Sequence, residues 1–430
     1  MLRLPAAVLV AVVCGILLPH AAVAGSADPL DGLIVREVRV TGLRNLEPAA
    51  VTRHLATRAG QPFHQATADL DRRRLDELRL FSAVAIRPEL DAGAVVVTVA
   101  VSETLRLLPT ILIRVTDENG LSGGVGMRGL NLLGGGSQTG VGVMFGGETS
   151  VSAQVDSTTI TPGTWYRHLA FGYSSRSNAV YDFEEKSTTT EFRFARNFAH
   201  GLRAGGLTSL LSIDAGTSGA ALSADGSDLV PTLGGFVTLD TLDSSTNPRR
   251  GTWAEVEFDR LTVDASSWTV ILDGRRFQPL SERHGLGLFS LATFQTGEVG
   301  VDLPEYLQFA LGGGNTVRGW GLGTRKGRNQ FIGTAEYSFV ARPVTPFSVF
   351  GINAYAGLQI VAFADVGMAW NNSTDFRAGD AIDGYGAGVR VLVPFVDLIR
   401  IDVGWGEPGR GATAYFGISL KPTRQRQRVR

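Results

Sequence analysis

The feature that most limits this chain is a period of two. From about Ile111 to Leu420, apolar residues take every second position in segment after segment, with Gly, Asn, Asp and Ser between the segments. Successive side chains of a strand point to opposite faces, so such text specifies strands with one apolar face. Phe192, Phe194, Arg196 and Phe198 share one face; Glu191, Arg193, Ala195 and Asn197 share the other. Thr252, Ala254, Val256 and Phe258 alternate with Trp253, Glu255, Glu257 and Asp259. Ile399, Ile401, Val403 and Trp405 alternate with Arg400, Asp402 and Gly404. Ala414, Phe416, Ile418 and Leu420 alternate with Tyr415, Gly417 and Ser419. Charges set opposite an apolar face suit lipid outside and a wet lumen inside. A soluble two-sheet sandwich has the same period, so the pattern alone leaves both open.

The N-terminus favours the membrane. Arg3 precedes an apolar stretch from Leu4 to Leu18, and Ala22-Val23-Ala24 gives a small-x-small site before Gly25. This reads as a secretory signal over residues 1–24. After Ala24 no apolar run is long enough for a spanning helix. A mature chain that crosses a membrane without such a helix must do so as a closed barrel, because lipid satisfies no open sheet edge. The region from 105 to 421 has about 315 residues, enough for about 16 spanning strands at roughly 9–11 residues each plus connections.

Other function classes are disfavoured. Lys+Arg total 40 against 41 Asp+Glu, and nucleic-acid binding asks for a basic surface. The one cysteine, Cys14, lies in the signal segment, so no disulfide or thiol chemistry is expected in the mature chain. The 6 His have no metal-ligand spacing. Gly124-Val125-Gly126-Met127-Arg128-Gly129 fits a dinucleotide pattern, but Asn131 to Gly136 that follows is a turn, not a helix. No enzyme activity, cofactor or metal is expected.

Residues 33–104 read as a separate small domain. Strands are expected at Ile34–Val40, Phe81–Glu89 and Ala94–Val101, with helices at Glu47–Thr57 and Ala66–Arg79. Arg72, Arg73 and Arg74 on the second helix are interspersed with Asp69, Asp71, Asp76 and Glu77, which reads as a solvated face. The order is β-α-α-β-β. The segments VREVRVTGLRNL, RAGQPF, LDELRLFSAVAIRPE and VVVTVAVSE make this region resemble a POTRA domain. In that family a sheet edge can accept an extended client strand.

The most specific segment is Leu311 to Gly323, LGGGNTVRGWGLG. Val317-Arg318-Gly319-Trp320 resembles the VRG(F/Y) motif of the BamA/TamA superfamily of outer-membrane assembly proteins (the bacterial surface antigen family), with Trp320 where Phe or Tyr is usual. The resemblance implies a loop that folds back into the lumen, its arginine meeting acids on the inner wall. Alternation points Glu336 inward in Thr334–Val340, and Asp365 inward in Leu358–Trp370. Phe363-Ala364-Asp365-Val366-Gly367 resembles that family's F-x-D-x-G strand. Asp240 to Gly251, DTLDSSTNPRRG, resembles its turn-and-strand signature through Asp240, Asp243, Pro248 and Gly251, although Leu242 replaces an arginine. Gly384 to Asp402 is similar to its penultimate hairpin.

The expectation is therefore a mainly β fold: a transmembrane antiparallel β-barrel of about 16 strands over residues 105–421, one POTRA-like domain before it, and a basic tail over 422–430. The tail would hang free on the periplasmic side or touch anionic headgroups. The resemblance implies an accessory or specialised insertion factor in the outer membrane of a Gram-negative-type bacterium, its POTRA-like domain in the periplasm. Its partners would be unfolded outer-membrane or secreted clients, taken up at the POTRA-like sheet edge and the barrel seam. Outer-membrane lipid and periplasmic chaperones or lipoproteins would be further partners. A two-partner-secretion pore and a plain porin are the alternatives. Only about eight residues separate the cleavage site from the first strand, too few for the plug helix of such secretion pores.

Overall fold

The computed structural model describes residues 29–419, except 45, 79, 104–105, 117–118, 134–136, 158–162, 179, 217–218, 244–246, 350–351 and 393–397. Residues 1–24, expected to be a signal segment and holding Cys14, and the basic tail lie outside the described residues.

The chain begins with a small α+β unit. Strands β1 (Val35–Thr41), β2 (Phe81–Asp91) and β3 (Ala94–Glu103) form a sheet in the order β1-β3-β2, with helices α1 (Ala49–Thr52) and α2 (Gln65–Glu77) between β1 and β2. The near-continuous apolar text of β3 suits its central place, with β1 parallel and β2 antiparallel to it. Val35, Val51, Leu55, Phe63, Leu75, Val95, Val97 and Val99 make the core.

Two expectations fail here. The first helix is a single turn, not Glu47–Thr57, because the buried carboxylate of Asp71 takes the backbone N–H groups of Ala56 and Thr57 at 2.8 Å each. Nor is the arginine run of α2 a solvated face: Asp71 is fully buried and pairs with Arg74, while Arg73 reaches out of the unit.

The remaining strands are β4 (Leu107–Thr116), β5 (Gly120–Leu130), β6 (Ser137–Gly146), β7 (Glu148–Ser157), β8 (Trp165–Asn178), β9 (Phe183–Asn197), β10 (Leu202–Asp214), β11 (Ser227–Asp240), β12 (Gly251–Leu261), β13 (Ser267–Pro279), β14 (His284–Gln295), the short β15 (Phe309–Leu311) and β16 (Arg325–Gly327), β17 (Asn329–Val349), β18 (Ile352–Trp370), β19 (Ile382–Leu392), β20 (Leu398–Trp405) and β21 (Thr413–Ser419). Without β15 and β16, which pair with each other, they form one 16-stranded sheet in chain order, each strand antiparallel to the next. This is a nearly closed barrel, not a sandwich. The first and last strands, β4 and β21, lie side by side, but no ladder joins their described residues.

Alternation sets the two surfaces. Val125, Val141, Phe192, Phe194, Val256, Phe258 and Ile401 are exposed on the outer wall. Glu255, Glu257, Asp259 and Asp273 are buried on the inner wall. Arg193 neutralises part of that wall, contacting Glu191 at 2.9 Å, Glu255 at 3.1 Å and Glu257.

The α+β unit joins the start of β4, which defines the proximal end of the barrel. At that end the β11–β12 turn folds inward. Gln359 of β18 donates to Asn247 of the turn at 3.2 Å, and Arg73 of α2 pairs with Asp240 at 2.9 Å. At the distal end, residues 296–328 connect β14 to β17, and Tyr306 in this connection donates to Asp228 at 2.8 Å. The connection then enters the barrel.

Candidate functional site

The hairpin β15–β16 is the stem of the inserted segment, and residues 312–324 are its tip. The tip needs glycines. Gly312, Gly313 and Gly319 have φ of +114°, +80° and +94°, in the left-handed region that side chains disfavour. Gly319 also lies against the backbone of Trp405, where a Cβ has no room. Val317 is fully buried with Leu311, Ile332 and Ile382, so the tip is packed against the wall.

Arg318 therefore points to one place. It is 1% exposed, and its Nε and Nη2 donate to the two oxygens of Asp365 at 2.7 and 2.9 Å. This is the planar fork on a carboxylate that gives the strongest side-chain hydrogen bonds. The Arg318 backbone N–H adds a third donor to Asp365 at 3.1 Å, and Thr334 of β17 a fourth at 2.8 Å. Phe363, two residues before Asp365 on β18, stacks under the guanidinium with its centre 3.2 Å away. Gly367, two residues after, has no side chain to push away Val317.

The remaining donor, Nη1, goes to Asp402 of β20 at 2.9 Å. Glu336 is 3.7 Å away and is held at 2.8 Å by Arg390 of β19 instead. Arg390 also contacts Asp402 at 2.5 Å, and Arg400 lies 3.6 Å from the same carboxylate. Three arginines thus face three carboxylates, Glu336, Asp365 and Asp402. Balance of this kind makes burial tolerable, since an unpaired buried charge is costly.

The tip also binds the last strands through its backbone and Trp320. Gly319 N–H donates to the Tyr415 hydroxyl of β21 at 2.9 Å. The Trp320 indole donates to the Asp383 carbonyl of β19 at 2.6 Å. Gly321 N–H donates to Glu407, and Glu407 N–H to the Gly319 carbonyl, each at 3.0 Å.

The structure thus brings Val317, Arg318, Gly319 and Trp320 together with Asp365, Phe363 and Gly367, and sets Glu336 at the edge of the cluster. Asp240, Asp243, Pro248 and Gly251 lie elsewhere, in the proximal β11–β12 turn. There Asp243 accepts from Arg249 and Arg250 N–H at 2.9 and 3.1 Å, and Gly251 has φ of +111°. Sequence reasoning did not single out Asp402, Arg390 or Tyr415 for the site. The signal was present for Asp402 and Tyr415, since alternation already put both inward, but nothing in the text said which inward residue would face the loop.

A family model described as the Omp85 superfamily domain matches residues 131–421. No curated protein matches in sequence. Among solved structures, BamA from Haemophilus ducreyi lacking POTRA domains 1-3 is similar, with a TM-score of 0.55, 13% identity, 89% of this chain and 83% of that chain covered. CdiB from Acinetobacter baumannii has a TM-score of 0.53 and 13% identity, with 90% and 74% covered. CdiB from Escherichia coli has the same score and identity, with 93% and 92% covered. At such identity these structures share the fold alone.

Proposed function

Because this chain belongs to the Omp85 superfamily, we propose that it inserts or folds client β-strand proteins in the outer membrane, as an accessory or specialised member. The observation that carries this reading is the seam. Strands β4 and β21 adjoin without a ladder between their described residues, and an edge of unpaired N–H and C=O groups templates a further strand. The arginine cluster supports it, because Arg318, Trp320 and Gly319 fasten the inserted loop to β18, β19, β20 and β21, the strands that end at the seam. A wall that opens at one edge needs its neighbouring strands held, and a plain porin does not.

Clients would arrive on the proximal side, taken to be the periplasm, where the edges of β1 and β2 offer backbone groups for strand addition. Superfamily members handle unfolded client proteins and lipoprotein partners, and both are proposed here. Client folding supplies the free energy, with no nucleotide or cofactor. The secretion-pore reading shares the inserted loop, so the loop does not separate the two and the depletion experiment does.

Depletion of the protein, followed by quantitation of outer-membrane and surface-secreted proteins, tests this reading. Loss of a set of β-barrel proteins is expected. Loss confined to one secreted protein would make the chain a secretion pore. An unchanged profile with large single-channel currents would make it a porin.

A further inference from the structure

From β4 to β11 the outward positions, set by the registers of consecutive strands, are apolar or small almost throughout. Their charged residues fall at two levels. Glu184, Lys186 and Asp214 sit at the distal rim. Arg167 and Arg196 sit at the proximal end of β8 and β9, within two residues of the strand ends. Inward arginines of the same strands are neutralised: Arg193 by three glutamates and Arg176 by Glu185. Among the described residues neither Arg167 nor Arg196 has an ion-pair partner, and both are exposed.

The register builds a block of four. Trp165 stands opposite Arg196, and Arg167 opposite Phe194. Trp165 and Phe194 take one diagonal, stacked with ring centres 4.7 Å apart and 14° between planes. The arginines take the other diagonal, so they flank the stack, about 7–8 Å apart as diagonal neighbours are. The Arg196 guanidinium lies over the Trp165 ring at 5.4 Å. Phe198 and Leu202 continue the apolar surface beside it. Two like charges on one apolar wall repel, and beyond the Trp165 face under Arg196 no described carboxylate pairs with either. A phosphodiester between them would accept from both forks, while acyl chains lie along Phe192, Phe171 and Leu169.

We propose that the Trp165–Arg167–Phe194–Arg196 block is a binding site for the headgroup of an anionic phospholipid in the leaflet on the proximal side. The proposal rests on the membrane-barrel reading with the proximal end in the periplasm. Its depth agrees, since strand ends and outward tryptophans belong at the headgroup level.

The test uses the full mature protein in zwitterionic detergent, with native mass spectrometry after addition of phosphatidylglycerol, phosphatidylcholine, lipid A or inorganic phosphate. Wild type should retain phosphatidylglycerol over phosphatidylcholine. Arg167→Gln and Arg196→Gln should each lower that preference about five-fold, the attraction typical of one basic side chain at an anionic surface, and the double variant should lose it. Lys186→Gln at the distal rim should leave it unchanged. Heat-dependent gel migration monitors folding. Equal retention of both phospholipids by wild type, or undiminished preference in the folded double variant, overturns the site. Retention of lipid A alone, or of inorganic phosphate as well as phosphatidylglycerol, overturns the assigned source. A wild type that forms no heat-modifiable barrel in lipid overturns the membrane reading and the site together.

Discussion

Replacing Arg318 by alanine should loosen the barrel by an amount that its partners set. Asp402 would keep Arg390 at 2.5 Å and Arg400 at 3.6 Å, so it stays compensated. Asp365 would lose both fork bonds, while the Thr334 hydroxyl and the residue-318 backbone N–H stay with it. A carboxylate buried in this way and deprived of its cation costs about 3–5 kcal/mol. Asp365→Asn alone should cost less, since an amide carries no charge, but it leaves Arg318 with Asp402 at 2.9 Å and the more distant Glu336 at 3.7 Å. The double variant Arg318→Ala/Asp365→Asn should therefore cost less than the two singles added, by about 2 kcal/mol, within the range for contacting charged residues. Urea titration of the protein in detergent or lipid vesicles, read by the gel shift between folded and unfolded barrel, gives the four midpoints. An Arg318→Ala midpoint equal to wild type, or strict additivity in the cycle, would refute the assignment of a coupled buried pair. Arg318→Lys adds a further check: charge is kept but the fork is lost, so the loss should be intermediate.

Other substitutions test neighbouring parts of the same description. Asp402→Asn should weaken the hold on Arg318, Arg390 and Arg400 at once, although Asp365 keeps the first and Glu336 the second, and lower the urea midpoint at least as far as Glu336→Gln, since Glu336 touches Arg318 only at 3.7 Å. Tyr415→Phe removes the hydroxyl that receives Gly319 N–H, and a loss of about 1 kcal/mol in the same titration is expected for one hydrogen bond. Gly319→Ala forces a side chain onto a φ of +94° and into the Trp405 backbone, which should destabilise by about 1–3 kcal/mol or displace the loop; protease sensitivity of residues 312–324 would report displacement. Arg73→Asp should loosen the α+β unit from the β11–β12 turn, where Arg72 still reaches the Asp243 carbonyl, seen as faster amide exchange in α2, and the swap Arg73→Asp/Asp240→Arg should restore protection.

Much of the fold was legible because its physics is local. A strand's faces follow from chain position alone, so the inward setting of Glu336, Asp365, Asp402 and Tyr415 could be read before any pairing was known. The loop tip at Val317–Trp320 was expected from the family resemblance, and the left-handed backbone of its glycines is a finding of the structure. What failed was non-local. The first helix shrank to one turn because Asp71, fifteen residues beyond Ala56, captured its backbone donors. The arginines of α2 looked solvated beside acids of their own helix, yet Arg73 found Asp240, 167 residues away.

The period of two determined strands and sorted their side chains onto two faces, but left barrel and sandwich both open until the 16-stranded order was known. It could not determine which lumen residues meet, because alternation fixes direction but not position around the circumference. Closing sixteen strands in order put β18, β19 and β20 beside one another. The inserted loop then reached all three, which made Asp402 a partner of Arg318 alongside Asp365 and passed most of Glu336 to Arg390. Only the tertiary structure supplies that neighbourhood.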